Sequence, residues 1–162
     1  MGQYANGQVC LNGHKITGDV SSGFAQNFCS ECGASTIAKC PTCNTNIRGY
    51  YEHDNSGGVV ILSVPEFNVP RHCHNCGSAF PWIADQISAA SELVDELEEL
   101  SADEKAKLRE SIAFLTKDSP KTELASIRFK KILSKANTAI GNAIISIITS
   151  IATDAAKKQL GI

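Results

Sequence analysis

Seven cysteines and one histidine carry the most legible chemistry in this sequence. Cys10, Cys29, Cys32, Cys40, Cys43, Cys73 and Cys76 all lie in the first half of the chain. Six of them form three C-x-x-C pairs, and the seventh, Cys10, is followed at C-x3-H spacing by His14. A C-x-x-C turn brings two thiolates to one ion and aims backbone N–H groups at the sulfurs. Seven thiols and one imidazole supply eight donors, enough for two tetrahedral sites, and these donor types point to two zinc ions. Iron suits an all-cysteine site but gains nothing from a set of three cysteines and a histidine. An odd number of cysteines, with no leader pattern in the MGQYANGQVC opening, argues against a disulfide framework and predicts a cytoplasmic protein.

Each pair is followed by a residue type that tolerates a left-handed backbone: Gly33, Asn44 and Gly77. The sequential grouping gives one site of Cys10, His14, Cys29 and Cys32 and a second of Cys40, Cys43, Cys73 and Cys76. It closes the shorter loops and therefore costs less chain entropy. A cross-brace is the alternative, joining Cys10 and His14 to Cys40 and Cys43, and Cys29 and Cys32 to Cys73 and Cys76. His72 and His74 flank Cys73 as substitute ligands that the donor count does not require. Closed four-ligand sites leave no position for water, so the metal is expected to hold the fold. HExxH, Walker A and GxSxG motifs are all missing, and the reading is of a protein that is not an enzyme.

These ligands need elements to position them, and composition shows where the elements change. Residues 1–82 hold every cysteine, every histidine and four of the five prolines, whereas 83–162 are rich in Ala, Ile, Leu, Lys and Glu. The predicted fold class is α+β. A small zinc-stapled β region, a double zinc ribbon over 1–82, precedes an α-helical region over 83–162. About 80 residues with so few aliphatic side chains need a metal to fold. Residues 48–53 and 59–64 read as a hairpin across the turn at 54–58, and 8–16 with 23–28 as a shorter one. Helices are expected from Pro81 to about Leu100, from the Ser101 capping box to about Leu115, from Ser119-Pro120 onward, and from about Ala136 to Lys158.

The CLNGHKITG opening, the closely spaced knuckles, the IRGYY strand, the HCHNCGSAFPW segment and the RFKKIL and DAAKKQLG stretches together resemble an uncharacterised bacterial family. Its members carry an N-terminal double zinc ribbon and an α-helical tail. That resemblance implies zinc binding and a bacterial origin, and no particular activity.

Function is therefore weighed on surface chemistry. The last predicted helix carries Ile140, Ile144, Ile147, Ile148 and Ile151 on one stripe within an uncharged stretch. This stripe is either the core of the helical region or a face for a protein partner or a second copy. The predicted function is a non-catalytic adaptor, with ribbons as a recognition face and helices for docking or self-association. Nucleic acid is the alternative partner, disfavoured by a formal charge of −2 and by scattered Lys15, Lys39, Arg48 and Arg71. The apolar stretch of the last helix falls short of the ~20 residues that span a bilayer, leaving membrane-surface contact as a minor alternative.

Overall fold

The computed structural model describes residues 2–52, 66–136 and 138–162. The chain divides into two compact units, Met1–Trp82 and Ile83–Ile162.

Among the described residues the first unit has five short strands: β1 (Gln3–Asn6), β2 (Gln8–Cys10), β3 (Lys15–Thr17), β4 (Thr36–Ile37) and β5 (Arg48–Glu52). β1 pairs antiparallel with β5, and β2 is the centre of a second sheet of order β3-β2-β4. In the second sheet Val9 faces Ile37 and Cys10 faces Thr36, so β4 reaches back to the strand that carries the first cysteine. Gly7 stands between β1 and β2, where the chain passes from one sheet to the other, and its N–H donates to the Ile47 carbonyl at 2.8 Å. At the same junction a Cβ on Gly49 would lie 1.7 Å from the Gly18 carbonyl oxygen, a separation no side chain can accept. Glycine at position 49 lets the two backbones touch.

One strand expectation changes, and another falls partly outside the described residues. Arg48–Glu52 is a strand, but its partner among the described residues is β1; residues 53–65, which include the expected return strand 59–64, lie outside the described residues. The shorter hairpin pairs β2 with β3 rather than with residues 23–28, because the Cys10–His14 turn already reverses the chain within 8–16. Among the described residues of this unit, Val9, Ile47, Phe67, Phe80 and Trp82 are buried together with four of the seven cysteines. Phe80 stacks on Trp82 at 4.6 Å, and the Trp82 indole N–H donates to the Pro70 carbonyl at 3.0 Å.

Helices follow. They are α1 (Pro81–Asp95), α2 (Ala102–Leu115), α3 (Thr122–Leu133), α4 (Thr138–Ile151) and α5 (Asp154–Leu160). α1 stops five residues short of the expected end, since continuing it would set Glu96, Glu98 and Glu99 against the negative end of the helix dipole. The Lys105 ammonium caps the Asp95 carbonyl at 2.8 Å, while Arg109 pairs with the Asp95 carboxylate. α2 opens on the expected capping box between Ser101 and Glu104. α3 begins later than Ser119-Pro120 because Thr122 Oγ1 accepts from the Ser119 N–H, holding 119–121 in a turn ahead of the helix. The expected long last helix is two helices. Thr153 breaks it by donating its N–H to the Leu115 carbonyl and accepting from the Ala156 N–H as the cap of α5.

In this second unit Ile144, Ile148 and Ile151 are fully buried alongside Leu108, Ile112 and Leu115. The isoleucine stripe proposed as a docking face is therefore mostly core, with only Ile140 and Ile147 half-buried. An uncharged helix is the cheapest to enclose within a bundle, since none of its side chains must be kept in water. Among the described residues no helix is long and apolar enough to cross a membrane.

Candidate metal centres

The three C-x-x-C segments fold into the same turn. Gly33, Asn44 and Gly77 donate their N–H to the carbonyls of Cys29, Cys40 and Cys73 at 2.8–2.9 Å. The N–H groups of those same cysteines donate to Ala34, Thr45 and Ser78 at 2.8–2.9 Å. The turn closes only if the residue after the second cysteine is left-handed, and φ is +71° at Gly33, +60° at Asn44 and +72° at Gly77. A fourth turn carries the odd ligands. Gly13 donates to the Cys10 carbonyl at 2.9 Å with φ +90°, the Cys10 N–H donates to the His14 carbonyl at 3.0 Å, and His14 returns to the strand as β3 begins.

These turns bring all eight predicted ligands into two groups of four. Cys10, His14, Cys29 and Cys32 form one, and Cys40, Cys43, Cys73 and Cys76 the other, with the donor atoms of each within 4.8 Å of one another. This is the sequential grouping; the cross-braced one does not occur. Neither His72 nor His74 belongs to either group.

The distances test whether an ion fits. A tetrahedral zinc-sized centre with metal–sulfur bonds of about 2.3 Å sets its sulfurs about 3.8 Å apart, and a sulfur and an imidazole nitrogen about 3.6 Å apart. Sγ atoms are 3.8 Å apart for Cys10–Cys32 and for Cys40–Cys76, and 3.6 Å apart for Cys43–Cys73. His14 Nδ1 lies 3.5 Å from Cys10 Sγ, 3.3 Å from Cys32 Sγ and 3.6 Å from Cys29 Sγ. Both groups could hold a metal ion, and in the first the ligand nitrogen is Nδ1. The opposite ring nitrogen, Nε2, stands 3.7 Å from the Glu31 carboxylate, which orients the imidazole from outside.

A ring of donors surrounds the sulfurs, and apart from His14 none of these residues stands out from cysteine spacing. Asn12 Nδ2 donates to Cys32 Sγ at 3.4 Å, and the His14 N–H to Cys10 Sγ at 3.2 Å. The Thr45 hydroxyl lies 3.3 Å from Cys43 Sγ, and the Ser78 hydroxyl 3.4 Å from Cys76 Sγ. Asn75 donates its backbone N–H to Cys73 Sγ at 3.5 Å and extends Nδ2 to within 3.7 Å of Cys43 Sγ. Thr45 and Ser78 stand at one equivalent place, two residues past the second cysteine, and that repeat was the available signal.

Such donors favour the thiolate over the thiol. The Ala34 backbone N–H, helped by Asn12 and His14, pulls Cys32 down to about 6. The Thr45 hydroxyl and backbone, with Asn75, do the same for Cys43, also to about 6. Ser78 lowers Cys76, whereas burial pushes Cys10 up. Each group thus has sulfurs already disposed to ionise, Cys32 in the first and Cys43 and Cys76 in the second, beside one held above its ordinary value, Cys10 in the first and Cys73 in the second. In both, the burial is alike: Cys10, Cys29, Cys40 and Cys73 are enclosed, Cys32 and Cys76 exposed.

A family model described as "Uncharacterized protein conserved in bacteria (DUF2321)" matches residues 3–160. The chain belongs to that family. No curated protein and no solved structure matches it.

Proposed function

We propose that this family member is a two-zinc, non-catalytic adaptor whose ribbons are locked by metal and whose surfaces recognise another protein. The observation that carries this reading is the closure of both donor sets: four protein ligands converge in each, at spacings that fit a tetrahedral ion. Zinc is the metal that suits both a four-sulfur set and a set of three sulfurs and one nitrogen, without a geometric preference of its own. When bound it supplies folding free energy that a unit of about 80 residues with few aliphatic side chains needs. A saturated ion has no free position for substrate or water, which leaves recognition as the work of the surface around it. Seven reduced thiols suit a reducing compartment such as the cytoplasm.

Nucleic acid fits the ribbon surface less well. Arg48 is already committed, its guanidinium 4.8 Å from the Tyr4 ring centre, and the ribbons offer few other cations. Affinity capture from a bacterial lysate tests the adaptor reading, with the intact zinc-loaded chain and a Cys73→Ser variant run in parallel. A protein retained by the first and lost by the second is the expected result. Retention of nucleic acid alone, or turnover of a small molecule that the variant abolishes, would overturn the reading.

A further inference from the structure

With the α4 stripe enclosed, the apolar surface left on the helical unit lies elsewhere. Leu124 is 46% exposed and Ile127 57% exposed, one turn apart on α3. Leu124 also forms part of a groove of about 280 Å³ between α2 and α3, with Phe114 and Ala125 contributing its apolar lining and Glu110 and Ser111 the polar part of its α2 wall. Lys121 and Arg128 stand at its two ends, seven residues apart, about 10 Å along the helix. Lys121 Nζ sits 4.9 Å from the Phe114 ring centre, which holds its charge at the groove. Among the described residues Arg128 makes one long contact, to Glu110 at 3.8 Å, which engages few of its five N–H donors. The charge is local: residues 117–135 carry six cationic side chains against two carboxylates, in a chain of net −2, and of the six Lys135 is paired with Glu104.

From this juxtaposition we infer that the α2–α3 groove is the docking site for an acidic amphipathic helix of a partner protein. The inference rests on the adaptor reading and names the surface that reading leaves open. Both walls are helices whose backbone groups are bonded internally, so the groove offers no free N–H or C=O row for strand addition. Its occupant must satisfy its own backbone, as a helix does. Apolar side chains enter against Leu124 and Phe114, and carboxylates two turns apart meet Lys121 and Arg128. A second copy cannot supply such a face from residues 92–104, the acidic stretch of this chain. Val94, Leu97 and Leu100 of that segment are buried, and Asp95 and Glu104 are engaged by Arg109 and Lys135. A flat anionic bilayer would meet Ile127 but not the recessed Ala125.

The test uses the full, zinc-loaded chain and a labelled synthetic peptide of about 18 residues, with Leu on one helical face and Glu on both flanks. Fluorescence anisotropy is read against a scrambled peptide of equal composition. Saturable binding of the amphipathic peptide is expected, weakened at least tenfold in Leu124→Asp and in Lys121→Gln/Arg128→Gln. Both variants alter exposed side chains and should keep the parent's helical circular dichroism. Phosphatidylglycerol vesicles and sedimentation velocity are run on the same proteins. No peptide binding, equal binding of the scrambled peptide, or indifference to both variants would overturn the proposal. So would substitution-sensitive binding to vesicles, or self-association. Zinc content is measured on every sample: a failed peptide assay with two zincs bound sinks the groove alone, whereas absent zinc sinks the scaffold reading.

Discussion

Replacing Cys73 with serine removes one buried donor from the second site and leaves the other three sulfurs in place. Cys73 lies 3.6 Å from Cys43 Sγ, and its backbone closes the last knuckle through Gly77 and Ser78. The size of the effect follows from the small net stability of a unit this short. At about 0.05–0.15 kcal/mol per residue, a unit of this length has a net stability of only about 4–12 kcal/mol. With zinc bound as proposed, each ion contributes roughly 10–16 kcal/mol of folding free energy, comparable to that whole reserve, so losing one should unfold the chain around the second site while the first keeps its own ion. Serine is a poor zinc ligand, and one of the two ions should leave. The chain has a single tryptophan, and Trp82 is buried against Phe80 six residues past Cys76. Its emission should therefore shift to the red in Cys73→Ser, while far-ultraviolet circular dichroism keeps the helical signal of α2 to α5. Native mass spectrometry on the same sample counts the ions. A variant that keeps two zincs and an unshifted Trp82 spectrum would refute the reasoning, because the second site would then not depend on this ligand.

Three further outcomes follow from particular contacts. Gly49→Ala forces the backbone of β5 away from Gly18 and should cost about 2–4 kcal/mol, from overpacking and a weakened Tyr50 N–H to Gly18 bond; denaturant unfolding followed by Trp82 fluorescence measures it, and an unchanged midpoint would count against the sheet junction described. Thr45→Val removes the hydroxyl beside Cys43 and should raise that thiol above about 6, weakening zinc binding about tenfold in chelator competition near neutral pH; equal affinity for the two proteins would show that the hydroxyl is idle. Glu104, held at about 2 by the Lys135 ammonium and the Ser101 backbone and hydroxyl, has a folded value below its ordinary 4.5. Its contribution is therefore present above pH 4.5 and lost as pH falls toward 2, so Glu104→Gln should melt below the parent at neutral pH and converge with it in acid, as read by helical circular dichroism.

How much of this was legible in the sequence depends on the range of the interaction. The knuckles are local: C-x-x-C followed by Gly or Asn encodes its own turn, and the left-handed backbone appears at Gly33, Asn44 and Gly77. Loop length selected the sequential grouping of ligands for the same reason. Capping at Ser101 was equally local. The pairing of β5 with β1 was not, since it joins residues about 45 positions apart and depends on three glycines meeting at the sheet junction. The split between α4 and α5 lay half in view: Thr153-Asp154 is a start signal, but an apolar run up to Ala152 hides it until Leu115 offers its carbonyl. The isoleucine stripe shows the limit most clearly. Periodicity locates an apolar face, yet only the packing of α2 against it decides that the face is core, and so shifts attention to Leu124 and Ile127.

The central claim is that two closed donor sets each hold one zinc ion. Elemental analysis of the full chain, purified without added metal or chelator and normalised to amino-acid analysis, tests it most directly. Two zinc atoms per chain, falling to one in Cys73→Ser, is the predicted result; a metal-free folded protein, or a different metal in both sites, would contradict it.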